Sequence, residues 1–308
     1  MIEKIGQASV IRKTLTGLSR EITNAQYIAD RVFPVVGNID NPLLEIEIFD
    51  NDLGVLSGTL RAIRGDSNQM TPGGSQSVFA KIPEHDLYWP VDYYEKIAAI
   101  RNLENRALIK TKGGLDLLKE KTAADLTQNP DTYPADHVVT LSGSSVWTDA
   151  VSTPVEDIEA GKDKIGDKIV QDPNTLVLAN NTYKTLKFHP QLKAMLSDDQ
   201  KKIVSLDDMK QIFDVPNIII GKAVYRDPAT GANKRLWQNC AILLYLDENP
   251  SPEARDGSSL SFGYNFRLKQ YPFVDEFYLN PGKVKAIRNN DAYLLFVAGS
   301  EAGYLIRY

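Results

Sequence analysis

Followed by the spacing of its apolar residues, the chain changes character three times. Residues 1–33 carry two short apolar clusters, Ile11, Leu15 and Leu18 and then Tyr27, Ile28, Val32 and Phe33, and stop at Pro34. They predict an arm, or a short helix and turn. Leu44-Glu45-Ile46-Glu47-Ile48-Phe49 follows, with Leu44, Ile46 and Ile48 on one face and both glutamates on the other, the pattern of a half-buried strand. Residues 50–76 have weak periodicity and many breakers, ending in Thr71-Pro72-Gly73-Gly74-Ser75, after which Val78-Phe79-Ala80-Lys81-Ile82 resumes an extended pattern. The picture is a long two-stranded excursion. An irregular stretch of this length is uncommon inside a compact domain, which predicts packing against something outside its own subunit.

Residues 92–126 are helical in pattern, with Ala107, Leu115, Leu118, Ala123 and Leu126 set among Lys, Asp and Glu. Gly113-Gly114 interrupts them, and because each glycine costs about 1 kcal/mol relative to alanine in a helix interior, a break or kink is expected there. Residues 137–141 predict a short strand, and Ser142-Gly143-Ser144-Ser145 a turn. Thr153-Pro154-Val155-Glu156 carries a helix start: Thr153 as N-cap, Pro154 where no N–H is needed, and Glu156 closing a capping box. Val155, Ile158, Ile165 and Ile169 then share one face.

Thr175-Leu176-Val177-Leu178-Ala179 predicts a buried strand leading into a helix capped by Asn180 or Asn181. Ser205-Leu206-Asp207-Asp208 opens another helix, with Leu206, Met209, Ile212 and Phe213 as its stripe and Val215-Pro216 as its stop. Ile218-Ile219-Ile220 continues the strand and helix alternation. Beyond Tyr225 the chain is β in character, at 241–246, 261–268, 273–279, 284–287, 293–298 and 304–306. The class is α+β.

Composition narrows the function classes. With 43% hydrophobic and 24% charged residues the chain is a folded protein with a sizeable core, and its 308 residues make one large domain or two ordinary ones. No apolar run reaches the roughly 18 residues a membrane span needs, and 1–17 lacks the apolar core of a signal peptide. A net charge of −5 argues against a groove that grips phosphates, while leaving room for passive contact with packaged nucleic acid. Cys240, the only cysteine, sits in an apolar run and reads as a small buried thiol, so no disulfide forms within the chain.

Candidate chemistry is thin. The elbow Gly-x-Ser-x-Gly is absent, since Gly143-Ser144-Ser145-Val146-Trp147 lacks the second glycine. One cysteine and three scattered histidines, His85, His137 and His189, offer no zinc spacing. Ile220-Gly221-Lys222-Ala223 lacks the first glycine and the Ser or Thr of a phosphate loop. The pairs Glu45/Glu47, Glu156/Asp157 and Asp207/Asp208 have plain readings as a solvated strand face and two helix first turns. No catalytic, cofactor or metal site is expected. A serine hydrolase using Ser144 or Ser145 with a distant histidine is kept as a rival from another class.

Several segments in order resemble the major capsid proteins of tailed bacteriophages, the Hong Kong 97-like fold. They are Tyr27-Ile28-Ala29-Asp30-Arg31-Val32-Phe33-Pro34-Val35-Val36, Val139-Thr140-Leu141-Ser142-Gly143 with Trp147-Thr148-Asp149, and Pro154-Val155-Glu156-Asp157-Ile158. Pro173-Asn174-Thr175-Leu176-Val177-Leu178, Leu186 with His189-Pro190, and Ile220-Gly221-Lys222-Ala223-Val224-Tyr225 follow. Ser261-Phe262-Gly263-Tyr264-Asn265-Phe266 and Gly303-Tyr304-Leu305-Ile306 complete the series, which spans nearly the whole chain.

The resemblance implies an N-terminal arm at 1–33, an extended β-hairpin loop over a neighbouring subunit at 34–92, and a peripheral domain with a spine helix at 93–153 and 285–308. It implies an axial domain at 154–284. The implied function is structural: a virion capsid protein, assembled in the bacterial host cytoplasm, whose hexamers and pentamers build an icosahedral head around double-stranded DNA without sequence-specific binding. Tyr27, Phe33, Leu44, Ile46, Ile48 and Phe79 are the assembly candidates, with packing inside their own subunit as the alternative. A portal protein, decoration proteins and a scaffolding protein are the implied partners. Only 26 residues precede Tyr27, so the scaffold is expected as a separate chain. Some capsids of this fold cross-link through a lysine on the extended loop; between Gly37 and Asp92 the only lysine is Lys81, near the loop's base, so a non-covalent shell is expected. A cellular nanocompartment shell of the encapsulin type shares the fold and is the nearest rival.

Overall fold

Two sheets organise the molecule, and the chain crosses between them several times. A computed structural model describes residues 10–21, 26–48, 60, 61, 63, 65–68, 76–99, 102–196, 203–251, 260–280 and 282–308. From the N-terminal side come β1 (Val10–Ile11), α1 (Lys13–Glu21), the single turn α2 (Ala29–Val32) and β2 (Val35–Ile39). A hairpin of β3 (Leu43–Ile48) and β4 (Gln76–Lys81) precedes β5 (Glu84–Asp92), α3 (Tyr93–Ala98) and the long α4 (Leu103–Gln128). Most of the excursion expected between the hairpin strands lies outside the described residues. Next are β6 (Val138–Thr140), α5 (Pro154–Ile169), β7 (Thr175–Ala179), α6 (Asn180–Leu186), α7 (Pro190–Ala194) and α8 (Leu206–Phe213). The β-rich end comprises β8 (Asn217–Gly221), β9 (Val224–Arg226), β10 (Asn233–Arg235), β11 (Cys240–Leu244), β12 (Gly263–Leu268), β13 (Phe273–Leu279), β14 (Val284–Val297) and β15 (Gly303–Arg307).

The first sheet has the order β1-β13-β14-β12-β2, and β5 pairs β14 as well. The 14-residue β14 is its backbone: the first half lies between β13 and β5, and the second half pairs β12. On one face, α1 and α4 bury Leu15, Ala107 and Leu108 against Val91, Val274 and Ile287. On the other, the β3–β4 hairpin buries Leu44, Ile46 and Ile82 against Tyr264, Phe266 and Ala292. The second sheet runs β6-β15-β11-β7-β8, with every residue of β7 and β11 buried. Near-continuous apolar runs such as Leu176-Val177-Leu178 need cover on both faces, and α5 supplies one side through Ile158, Ile165 and Ile169.

Two expectations are corrected. The spine helix is unbroken from Leu103 to Gln128, through Gly113-Gly114, and the interruption falls earlier, between α3 and α4. Gly114 is there for space: a Cβ would stand 2.7 Å from Leu87 Cδ1 on β5. Second, 284–287 and 293–298, read as separate strands, belong to one. The polar run between them is interior, and distant groups satisfy it: Arg288 pairs with Asp275 (2.9 and 2.5 Å), Asn290 donates to Asp275 (2.8 Å), and Asn289 donates to Thr111 and accepts from Ser19. By strand order β6 and β15, which the resemblance groups with the peripheral part, lie in the second sheet, while β12 and β13, grouped with the axial part, lie in the first. A strand as buried as β15 needs the interior position it takes between β6 and β11.

Helix starts follow the sequence with two exceptions, of which the first is α6: Asn180 is its first helical residue rather than its cap, and Ala179 stands at the N-cap with no side-chain capping bond. Ser205 and Asp208 form the expected capping box on α8. Thr153 stands at the N-cap of α5 without a side-chain capping bond; the carbonyl of Gln191, from α7, accepts the Val155 N–H instead (3.2 Å), and Glu156 accepts from the same amide.

Candidate assembly surface and arm junction

The six assembly candidates separate by burial. Phe33 is fully buried, 6.0 Å from the Phe262 ring, and Leu44 and Ile46 are buried beneath their own hairpin. These three therefore pack in the core of their own subunit, the alternative stated for them. Tyr27 and Ile48 are half-buried, Tyr27 against the main core. Phe79 alone of the six is broadly exposed, at 78%.

Strand register explains the division. Leu43 opposes Lys81 and Glu45 opposes Phe79, so these four share the hairpin face turned away from the sheet, while Leu44 and Ile46 face inward. Leu43 is also exposed. A second apolar surface, which the sequence reading missed, runs along β5 and α3: Leu87, Tyr88, Trp89, Tyr93, Tyr94 and Ile97 are all at least 42% exposed. Beside it a groove of about 410 Å³ is lined by Trp89, Pro90, Glu95, Ala98, Leu103 and Arg106. Apolar side chains gathered on one strand and the helix that follows it mark an interaction site more than scattered exposure would.

The arm is pinned to its own subunit. Arg12 meets Glu276 at 3.2 Å, Val274 N–H donates to Thr16 Oγ1 and Ser19 donates to Asn289. Glu276 continues to Lys285 (2.7 Å), Glu104 (3.0 Å from Lys285) and Lys96 (2.8 Å from Glu104). Those two lysines, led by the Lys96 hydrogen bond, hold the Glu104 carboxyl below its usual value despite burial. Where the arm reaches α4, Asp30 takes Lys119 Nζ at 2.6 Å and Asn265 Nδ2 at 2.9 Å. Glu120, wholly buried, accepts from the backbone N–H groups of Ile28 and Ala29 and from the Trp237 indole.

The hydroxyl groups have structural roles. Ser142 and Ser145 cap a turn reciprocally, and Trp147 is buried with its Nε1 2.7 Å from Asp157. Ser152 Oγ lies 3.0 Å from His189 Nε2, the one serine and histidine contact the hydrogen bonds reveal among the described residues. The Gln191 N–H donating to His189 Nδ1 puts the ring proton on Nε2, and Ser152 donates to the Asp149 carbonyl. Imidazole oriented this way cannot take the serine proton, and both groups are buried. His85 stacks on Tyr293 at 4.6 Å, and His137 is tied to the Gly303 carbonyl. Burial pushes the Cys240 thiol up to about 12, the opposite of a reactive cysteine. Gly221 ends β8, with Trp237 filling the space beside it. Among the described residues no three His, Cys, Asp or Glu come together to hold a metal, and no helix is long and apolar enough to cross a membrane.

Comparison with known proteins gives these surfaces a setting. No family model matches the chain. The major capsid protein of Burkholderia phage BcepMu is 35% identical over 303 residues, covering 98% of each chain. The crystal structure of a phage-related protein from Bordetella bronchiseptica RB50 superposes with a TM-score of 0.78 at 25% identity, covering 98% of each chain. The SrpI encapsulin of Synechococcus elongatus PCC 7942 superposes at 0.52 with 10% identity over 97% of this chain and 95% of that one, a likeness of fold alone. Shared fold cannot separate a phage coat from a nanocompartment, but full-length sequence identity does. The chain therefore belongs to the phage major capsid proteins, with the Hong Kong 97-like fold, and forms the homo-oligomeric shell of a virion.

Proposed function

We propose that copies of this chain associate as hexamers and pentamers of an icosahedral head around double-stranded DNA, joined without covalent cross-links through the outer face of the β3–β4 hairpin and the apolar surface of β5 and α3 on a neighbouring copy. One observation carries the reading: each subunit exposes both an apolar donor face, Leu43 and Phe79, and a larger apolar acceptor face along β5 and α3. Two different surfaces on one subunit make a head-to-tail contact, and such contacts give rings where the rotation between copies closes. Charges complement as well, since Glu45 and Lys81 flank Phe79 on the hairpin while Arg106 and Glu95 line the acceptor groove. Many weak contacts in a closed assembly make loss of one subunit costly.

In this reading the first sheet with α4 forms the peripheral part, the second sheet with α5 to α8 the axial part, and the segment up to Phe33 the arm. The role is mechanical, not enzymatic, and the DNA is enclosed without sequence reading, in keeping with a net charge of −5. A scaffolding protein, a portal and decoration proteins are the proposed partners, and assembly takes place in the host cytoplasm. Replacing Phe79 by Asp tests the contact. Its exposure predicts an unchanged melting temperature together with loss of closed particles in electron micrographs; particles as abundant as those of the parent protein would refute the interface.

A further inference from the structure

Glu120 is a buried carboxylate that the shell contact does not use. Oε2 accepts from the N–H groups of Ile28 and Ala29, each at 2.8 Å, at the opening of α2. Oε1 accepts from Trp237 Nε1 at 2.8 Å, in the loop ahead of β11. Trp237 is itself seated on the second sheet, because Gly221 at the end of β8 leaves room for it: a Cβ there would stand 2.3 Å from the indole Cγ. One carboxylate thus ties the arm, the long helix and the second sheet. We propose that Glu120 is a latch whose ionised carboxylate holds the start of α2 and Trp237 together, and that neutralising it frees both while the subunit stays folded.

All three donors are uncharged, so the latch depends on the carboxylate having two accepting oxygens. With a proton on it, one oxygen becomes a donor and must turn from an N–H it had held. The charged groups around it come from each neighbouring element. On α4, Lys119 is engaged by Asp30 and lies 5.8 Å over the Tyr293 ring. On the arm, Asp30 is held by Lys119 and Asn265 and also feels Arg267. The Leu236 to Gln238 stretch contributes no ionisable side chain. Burial raises the Glu120 carboxyl above its ordinary value, and the Trp237, Ala29 and Ile28 donors, with Lys119, only partly offset this. The folded chain therefore takes up this proton more readily than the unfolded one; with the carboxyl still buried, loss of the Trp237, Ile28 and Ala29 donors raises it further, so protonation favours the open arrangement inside the folded subunit.

The latch is a property of the subunit and does not rest on the proposed shell contact. Amide hydrogen exchange of the full chain, corrected for intrinsic rates, reads it. In the parent protein, peptides over 26–33 and 236–239 should lose protection together, by about tenfold, as pH falls from neutrality through the raised value of the Glu120 carboxyl, while 13–21 and 175–179 hold theirs. Glu120→Gln should show the open pattern already at neutral pH, with no further change on acidification. Independent behaviour of the two segments, or parent-like protection in Glu120→Gln, would overturn the proposal. Should that variant fail to fold, Trp237→Phe leaves Oε1 without its donor; raised exchange over 26–33 supports the latch and unchanged exchange there rejects it.

Discussion

Leu87 on β5 reaches into the space that a side chain at Gly114 on α4 would need, with Cδ1 2.7 Å from where a Cβ would stand. The two glycines in the middle of the long helix are therefore not equivalent, because a Cβ at Gly113 meets nothing within 4 Å. Packing of α4 on β5 and β14 outweighs the helix cost of both.

Alanine substitution should separate them. Gly113→Ala is expected to stabilise by about 0.5–1 kcal/mol through restriction of the unfolded chain. Gly114→Ala gains the same backbone term but must displace Leu87, so it should fall short of its neighbour by about 1 kcal/mol in denaturant melts.

Asp30 sets part of the acid limit. Burial would raise its carboxyl, but Lys119, Arg267 and Asn265 outweigh that and hold it below the ordinary 3.8. A carboxyl lowered by folding contributes stability above its unfolded value, and that contribution is lost as pH falls through the folded one. The stability gap between the parent protein and Asp30→Asn should thus be widest near neutrality and shrink below about pH 3.8, as read from urea midpoints. A gap that does not vary with pH would contradict this assignment. Glu120 has the opposite sign: its contribution favours folding at low pH and fades as pH rises through its raised folded value.

How far the sequence could be read depended on whether a residue's partner was local. Ser205 with Asp208, the alternation of Leu44 and Ile46, and the stripe of Ile158, Ile165 and Ile169 carry their structure within a few residues, and the structure has them as read. Arg288-Asn289-Asn290-Asp291 resembles a turn locally and becomes strand interior only because Asp275, Ser19, Thr111 and Arg267 arrive from elsewhere. Glu120 has no local signal at all, being one more charge in a Lys-rich helix. Alternation placed Leu44 and Ile46 on a buried face, but it could not say whether that face met the subunit's own Tyr264 and Phe266 or a neighbour. The aromatic run of β5 and α3 was visible as composition, and only the strand edge and the short helix that present it make it a surface.

Absence of covalent linkage is directly checkable. Lys81 is exposed on β4, near the base of the hairpin. Particles boiled under reducing conditions should run as a single band of the 34.3 kDa chain on a denaturing gel. A ladder of multiples would require a cross-link, with Lys81 the first residue to replace.

The central claim is that the chain builds a shell, and negative-stain microscopy of the purified protein, with light scattering on the same fractions, tests it most directly. The account predicts hollow polyhedral particles, or discrete rings of five and six subunits. A well-folded monomer that stays monomeric even when produced together with the proposed scaffolding partner would contradict it.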